Sequence, residues 1–236
     1  MNNNKVLVIS PTYNEAENMS SFIKGVIETG CDLLIVDDNS PDGTSKIVTS
    51  SNYFEKSLFL ILREKKLGYG TAYIEAFNWG LNKDYDYFVQ MDADFSHRME
   101  DLKKMLLIKK DFDLLIGSRY VEGGGSSGWG YHRKILSKYA NKLAKFSTKS
   151  HINDMTTGFR LYKRNSLIEI DYQSSDYNGY SFLVDLLSKS IKADLKIHEV
   201  PILFVERESG KSKMNFPIIL EGVKTLIKLY FQTNRK

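Results

Sequence analysis

Five short apolar runs punctuate this chain, and the runs together with the polar residues that end them restrict the fold more than any other feature. They are Lys5 to Ser10, Asp32 to Val36, Ser57 to Leu62, Phe88 to Met91 and Asp113 to Ser118. Each has the length and the β-branched or aromatic content of a buried strand. Helical spacing fills the gaps. Asn14 is placed to N-cap a helix running to about Glu28, with Glu15 and Glu17 near its positive end. A second helix is expected near residues 43–51, and a third where Tyr73, Ile74, Phe77 and Leu81 recur on one face. A fourth starts near Met99. Strands alternating with helices in this rhythm predict an α/β fold, a mostly parallel sheet with helices on both faces.

In such sheets ligands bind beyond the carboxyl ends of the strands. Four polar clusters fall there: Pro11 to Glu15, Asp37-Asp38, Asp92-Ala93-Asp94 and Gly117-Ser118-Arg119. Asp92 and Asp94 are two residues apart, so at a strand end both carboxylates can converge on one point. Two hard oxygen donors with open positions beside them suit Mg²⁺ or Mn²⁺ and a phosphate. The residues alone also allow a plain turn or a helix cap, and Asp37 could equally cap the helix after it. The glycines of Gly68-Tyr69-Gly70 lack phosphate-loop spacing and read as a tight turn. Neither Cys31 nor His97 sits in a metal-ligand or triad spacing.

Composition narrows the classes. With 236 residues, 42% hydrophobic and 26% charged, the chain suits one globular domain over residues 1–236. A net charge of +4 is too mild for a dedicated nucleic-acid binder. Cys31 is the only cysteine, so no internal disulfide can form and a reducing compartment is expected. No apolar stretch approaches the roughly 18 residues of a membrane span.

The character changes after the glycine-rich segment Gly123 to Gly128, read as a flexible loop. Between Tyr131 and Ser150 there are six Lys or Arg and no acid. Ile135, Leu136, Tyr139, Ala140, Leu143 and Phe146 form an apolar stripe at helical spacing. Such a basic amphipathic helix (131–149) lies at a membrane surface or packs on the sheet with a solvated basic face. Thr156 to Tyr162, Leu195 to Val200 and Ile202 to Val205 read as strands, and Gly179 to Asp185 as the start of a helix. Glu206 to Lys213 is a cation-rich loop, and residues 216–231 make a second amphipathic helix.

Taken in order, the motifs Pro-Thr-Tyr-Asn-Glu (11–15), Asp-Asp-Asn-Ser-Pro-Asp-Gly-Thr (37–44) and Arg-Glu-Lys-Lys-Leu-Gly-Tyr-Gly-Thr-Ala-Tyr (63–73) resemble the family-2 glycosyltransferases of the GT-A fold. So do Met-Asp-Ala-Asp-Phe-Ser-His (91–97), Gly-Ser-Arg-Tyr (117–120), Arg-Lys-Ile-Leu-Ser (133–137), Thr-Gly-Phe-Arg-Leu-Tyr (157–162) and Glu-Arg-x-x-Gly-x-Ser-Lys (206–213). Within that family the match is to the polyprenyl-phosphate (dolichyl-phosphate) mannosyltransferases. The resemblance implies a Rossmann-like GT-A sheet and inverting transfer of mannose from GDP-mannose to a polyprenyl or dolichyl phosphate.

It also implies residue roles. Pro11, Tyr13, Glu15, Val36 and Asp38 would hold the nucleotide. Asp92, Ala93 and Asp94 would bind the donor diphosphate and the Mg²⁺ or Mn²⁺ ion, with Ser96 near the ion. Arg207 and Lys213 match a loop that closes on the donor. Arg119, Arg133 and Ser137 match residues gripping the acceptor phosphate. Two positions depart from the pattern: Leu183 and Asp185 stand where Gln and Glu are frequent, and Ser96 where some members have Gln. The implied setting is the cytoplasmic face of a membrane, plasma membrane in a prokaryote or endoplasmic reticulum in a eukaryote. Association would be peripheral through helices 131–149 and 216–231, with or without small membrane subunits, and no nucleic acid would be involved.

Overall fold

The computed structural model describes residues 4–175, 177, 180–206, 227 and 231, Tyr180 by its backbone alone. The first half follows the expected alternation. β1 (Val6–Thr12), α1 (Ala16–Ile27), β2 (Asp32–Asp37), α2 (Thr44–Thr49), β3 (Leu58–Leu62), α3 (Tyr69–Leu81), β4 (Tyr87–Gln90), α4 (Met99–Ile108) and β5 (Leu114–Ser118) come in that order. Then come β6 (Gly125–Ser127), α5 (Tyr131–Thr148), β7 (Arg160–Lys163), α6 (Arg164–Glu169), a short 3-10 turn, α7 (Tyr180–Lys192), β8 (Ile197–Pro201) and β9 (Leu203–Val205).

Seven strands form one sheet in the order β3-β2-β1-β4-β7-β5-β8. The β1–β2, β1–β4, β2–β3 and β5–β8 pairs are parallel, while β7 runs antiparallel to both β4 and β5. Six strands therefore share one direction, and their carboxyl ends gather on one edge. Residue alternation sorts the core into two layers. Leu7, Ile9 and Phe88 face the α3 and α7 side, with Tyr73, Phe77 and Phe182. Val6, Val8 and Val89 face the α1 and α4 side, with Phe22, Val26 and Met105.

Three expectations need correction. The first helix is N-capped by Glu15, not Asn14, because Asn14 takes a left-handed φ of 60° and turns the chain before the helix begins. Residues 123–128 are not a loose loop: Gly125–Ser127 pairs in parallel with Leu203–Val205, making a second, two-stranded sheet. The segment from Thr156 becomes a strand only at Arg160. No helix among the described residues is long and apolar enough to cross a membrane.

Candidate active site

The first cluster is held by side chains that answer backbone donors. Asp37 is fully buried; it accepts the Ser40 amide (2.9 Å) and the hydroxyls of Ser40 (2.5 Å) and Thr12 (3.3 Å). The Asn14 amide donates to Ser40 Oγ (3.0 Å), the Glu15 amide to Thr44 Oγ1 (3.0 Å) and the Ala16 amide to Asp42 Oδ2 (2.9 Å). Two strand-end turns are thereby locked together, which gives Asp37 a structural role. Asp38 lies beside them and forms a buried ion pair with Arg63, which also donates to Thr71 Oγ1 (2.8 Å) and the Gly68 carbonyl (3.1 Å). Burial pushes the Asp38 carboxyl up, the Arg63 guanidinium pulls it down, and the net is a raised pKa. The Tyr13 ring is half-buried beneath Lys66, whose ammonium stands 4.6 Å from its centroid. Pro11 is half-buried on β1. Val36 departs from expectation: its side chain is wholly in the core, so only its backbone belongs to this edge.

At the end of β4 the acid pair is organised just as tightly. Ser96 donates both its amide (3.1 Å) and its hydroxyl (2.6 Å) to Asp94 Oδ1, closing a small turn around Phe95, whose φ is 59°. Tyr69 donates its hydroxyl to Asp92 Oδ1 at 3.4 Å. Gly158 makes room for that hydroxyl: a Cβ there would stand 2.6 Å from it. Buried Ala93 spaces the two acids. His97 braces the loop from beneath, its Nδ1 accepting the Asp92 amide (3.1 Å) and its ring stacking on Phe159 at 4.8 Å. Burial holds this imidazole below its ordinary pKa, which matches a neutral ring accepting at Nδ1. The two carboxylates and the hydroxyls around them form an oxygen-only donor set, which fits a hard divalent cation. Among the described residues no group of three His, Cys, Asp or Glu could hold a metal without further ligands.

Arg119 and Asp154 lie within electrostatic reach of His97, as Asp92 and Asp94 do. Arg119 is buried in a two-point ion pair with Asp154, Nε–Oδ2 and Nη2–Oδ1 both 2.7 Å, and its Nη2 also donates to Thr156 Oγ1 (3.0 Å). Its guanidinium lies 5.2 Å from the Trp129 ring and 5.6 Å from that of Phe204. Arg133, on the first turn of α5, stacks on the same Trp129 at 4.3 Å and pairs with Glu206 at 2.8 Å. Ser137, one turn on, accepts the Tyr120 hydroxyl at 2.7 Å. Phe204 closes the chain of contacts, edge-on to His97 (5.5 Å) and to Trp129 (5.2 Å). Its strand is fixed by Val205 N–H to the Ser96 carbonyl (3.2 Å) and Leu203 N–H to Asp101 Oδ2 (3.2 Å). Acids and arginines are therefore joined by one chain of contacts through His97, Phe204 and Trp129.

Helix α5 is the largest surprise. Its buried positions are Asn141, Ala144, Ser147 and Thr148, which are small or polar. The apolar stripe faces outward: Tyr139 and Phe146 are 69% and 66% exposed, and Tyr131, Leu136 and Leu143 are exposed with them. A helix packed on the sheet by that stripe is excluded. Instead Asn141 anchors it, accepting the Met155 amide (2.7 Å) and donating to Thr156 Oγ1 (3.2 Å).

Of the two departing positions, Leu183 is buried on α7 with its carbonyl accepting from Arg160 (2.6 Å), and Asp185 pairs with Lys189 at 3.5 Å. Arg207, Lys213 and, apart from Ile227 and Phe231, the expected helix 216–231 lie outside the described residues. Sequence reasoning gave no role to Arg63, Tyr69, Trp129, Asp154 or Glu206. Arg63, Tyr69 and Glu206 stood inside motifs that carry the resemblance, and Trp129 carried a signal as the lone large aromatic in a run of glycines and serines.

Comparison with known proteins fits this geometry. The model for glycosyl transferase family 2 matches residues 7–171. A polyprenol monophosphomannose synthase of Mycolicibacterium smegmatis is 41% identical over 224 residues, covering 93% of this chain and 84% of that protein. An undecaprenyl-phosphate mannosyltransferase of Micrococcus luteus is 39% identical over 221 residues, covering 93% and 91%. Among solved structures, glucosyl-3-phosphoglycerate synthase from Mycobacterium tuberculosis, in complex with Mn²⁺, UDP and glucosyl-3-phosphoglycerate, superposes with a TM-score of 0.68. At 17% identity, over 97% of this chain and 81% of that one, it shares the GT-A-like fold. With a family model that spans most of the sheet and relatives aligned nearly end to end, the chain belongs to the family-2 glycosyltransferases.

Proposed function

We propose that this glycosyltransferase moves mannose from GDP-mannose to the phosphate of a polyprenol at a membrane surface, with inversion at the anomeric carbon. The observation that carries the reading is the chain of contacts that links Asp92 through His97 and Phe204 to Arg119, Trp129 and Arg133, from which we infer one cleft with the acids on one wall and the arginines on the other. Both relatives act, by name, on polyprenol carriers and transfer mannose, which supports the same pairing of substrates here.

The nucleotide lies along Pro11, Tyr13, Glu15, Asp38 and the backbone at Val36. Its diphosphate reaches Asp92, Ala93 and Asp94. Asp92 and Asp94, with Ser96 alongside, would hold a divalent ion, Mg²⁺ or Mn²⁺, which would supply electrostatic stabilisation of the leaving diphosphate. Ser96 and Tyr69 orient the two carboxylates before substrate arrives, so little reorganisation is needed as charge develops. The acceptor phosphate is already anionic at neutral pH and needs no general base. Arg119, Arg133 and Ser137 grip and aim it, so their contribution is orientation. Arg207 and Lys213 are assigned to the donor phosphates.

Helix α5 places the arginine end of the cleft at a lipid surface. Its outward Leu136, Tyr139, Leu143 and Phe146, flanked by Lys134, Lys138 and Lys142, have the composition of an interfacial helix. The test is transfer from radiolabelled GDP-mannose and UDP-glucose, in parallel, to a short polyprenyl phosphate with Mg²⁺ or Mn²⁺. Mannosyl transfer from GDP-mannose is expected. Transfer from UDP-glucose alone would move the chain to another donor, and transfer from neither would defeat the reading.

A further inference from the structure

The guanidinium of Arg133 is already engaged by a carboxylate. Glu206 Oε1 stands 2.8 Å from Nη1, and the Glu206 amide is tied to the Ser127 carbonyl at 3.0 Å. Gly128 shapes the approach: a Cβ there would stand 2.7 Å from Glu206 Cβ. The indole of Trp129 lies against both Arg119 and Arg133, and its buried Nε1–H has no acceptor among the described residues. Two guanidiniums and an unused N–H donor thus meet at one indole, and the one carboxylate on Arg133 comes from the protein itself. Arg119 is different, because its partner Asp154 is fully buried and bound at two points.

We propose that Glu206 is an internal stand-in for the acceptor phosphate, a positioning residue that holds Arg133 against Trp129 and yields it when the phosphate arrives. This rests on the reading of Arg133 as a phosphate-gripping residue. Side-chain exposures of 35% and 42% for Arg133 and Glu206 make the pair weak enough to exchange. A dianionic phosphate offers stronger, charge-assisted hydrogen bonds to a guanidinium than a carboxylate does. The exchange costs acceptor affinity, since part of the binding free energy goes to displacing Glu206. In return the empty cleft carries a neutralised, ordered Arg133.

The experiment uses the full chain in a Trp79→Phe background, where Trp129 is the only remaining tryptophan and reports directly on the site. Farnesyl phosphate is titrated against its fluorescence at constant ionic strength. Glu206→Gln is expected to tighten binding by about three- to tenfold and lower the acceptor KM alike, with the donor KM unmoved. Glu206→Asp, which keeps the charge but shortens the reach, should tighten it less. Glu122→Gln removes an exposed acid elsewhere and controls for general charge; it should shift binding by less than about twofold. In an Arg133→Ala background the gain from Glu206→Gln should vanish. If farnesyl phosphate binds Arg133→Ala as well as the parent, or binds neither, the phosphate reading of Arg133 itself fails. If binding needs Arg133 but Glu206→Gln leaves it unchanged or weaker, only the stand-in role of Glu206 is overturned.

Discussion

The two walls of the cleft are built on different principles. On the acid wall the functional groups sit just past the ends of buried strands, and Asp94 and Asp37 are fixed by residues close by in sequence, whereas Tyr69 reaches Asp92 and Arg63 reaches Asp38 from 23 and 25 residues away. Ser96 is two residues from Asp94, and Ser40 is three from Asp37. On the arginine wall every fixing partner is distant: Asp154 is 35 residues from Arg119, and Glu206 is 73 from Arg133. Local closure fixes Asp94 and Asp37 within their own turns. Long-range closure gives a wall that can exchange partners, which suits a site that must admit a lipid headgroup.

The harshest way to break this contrast is to remove one acid. Asp94→Ala should lower turnover by at least about a thousandfold, because it deletes transition-state stabilisation that nothing else on the wall replaces. Its circular dichroism and urea midpoint should stay close to the parent's, since Asp94 closes only a three-residue turn. Substantial turnover with metal present would detach the acid wall from the chemistry.

The arginines should separate next, in stability as well as kinetics. Arg119→Ala leaves Asp154 buried without its ion-pair partner and should destabilise the fold by about 3–5 kcal/mol. Arg133→Ala breaks a half-exposed pair and should cost no more than about 1 kcal/mol. It should nevertheless raise the acceptor KM by about ten- to a hundredfold while sparing the donor KM. Urea unfolding and initial-rate kinetics on both variants check this. Equal stability losses would mean that the two arginines do not differ as their burial indicates.

This contrast also marks what could be read from the chain alone. Strands β1 to β5 were legible because the signals are short-range: an apolar run, then a polar cluster. The period-2 argument for Asp92 and Asp94 does not apply, because β4 ends at Gln90 and both acids lie in the loop beyond it. The arginine wall was not legible. Arg119 stood out as part of a strand-end cluster, but the acceptor role of Arg119 and Arg133 came only through resemblance, and nothing near either residue announces Asp154 or Glu206. Strands β6 and β9 were hidden for a related reason. Gly-Ser-Ser carries no strand propensity, and its pairing is decided by Leu203 to Val205, far along the chain. The orientation of α5 was left open by its pattern, since a helical stripe shows amphipathicity but not which face turns inward, and only the resemblance favoured the outward stripe that the structure shows. Asn141, the inward anchor, looked like any polar position on the opposite side.

That orientation gives a gentler test. Tyr139→Asp with Leu143→Asp puts two charges on the outward face and should weaken partitioning onto anionic vesicles by about tenfold or more. Turnover on a short, water-soluble acceptor should persist, because neither residue touches the cleft. Unchanged vesicle binding would assign the lipid contact elsewhere.

The smallest effect concerns Asp101, the residue that joins the two walls. It sits on α4, just past the acid loop, yet its Oδ2 accepts the Leu203 amide at the start of the strand that carries Phe204 toward the arginines. Burial alone would raise its carboxyl pKa, but hydrogen bonds from Arg98, Lys104 and the Leu203 amide outweigh burial and hold it below the ordinary value. For an acid depressed in this way the sign is fixed. The stabilisation is complete above the unfolded carboxyl's pKa and is lost as pH falls through the lower folded value. Asp101→Asn should cost about 1–3 kcal/mol at neutral pH and flatten the acid limb of stability against pH. Because β9 would loosen from α4, the acceptor KM should rise by a few-fold before the donor KM moves. A parallel acid limb in the variant would place that pH dependence in other carboxylates and leave the Val205 N–H bond to the Ser96 carbonyl as the polar tie between the two walls.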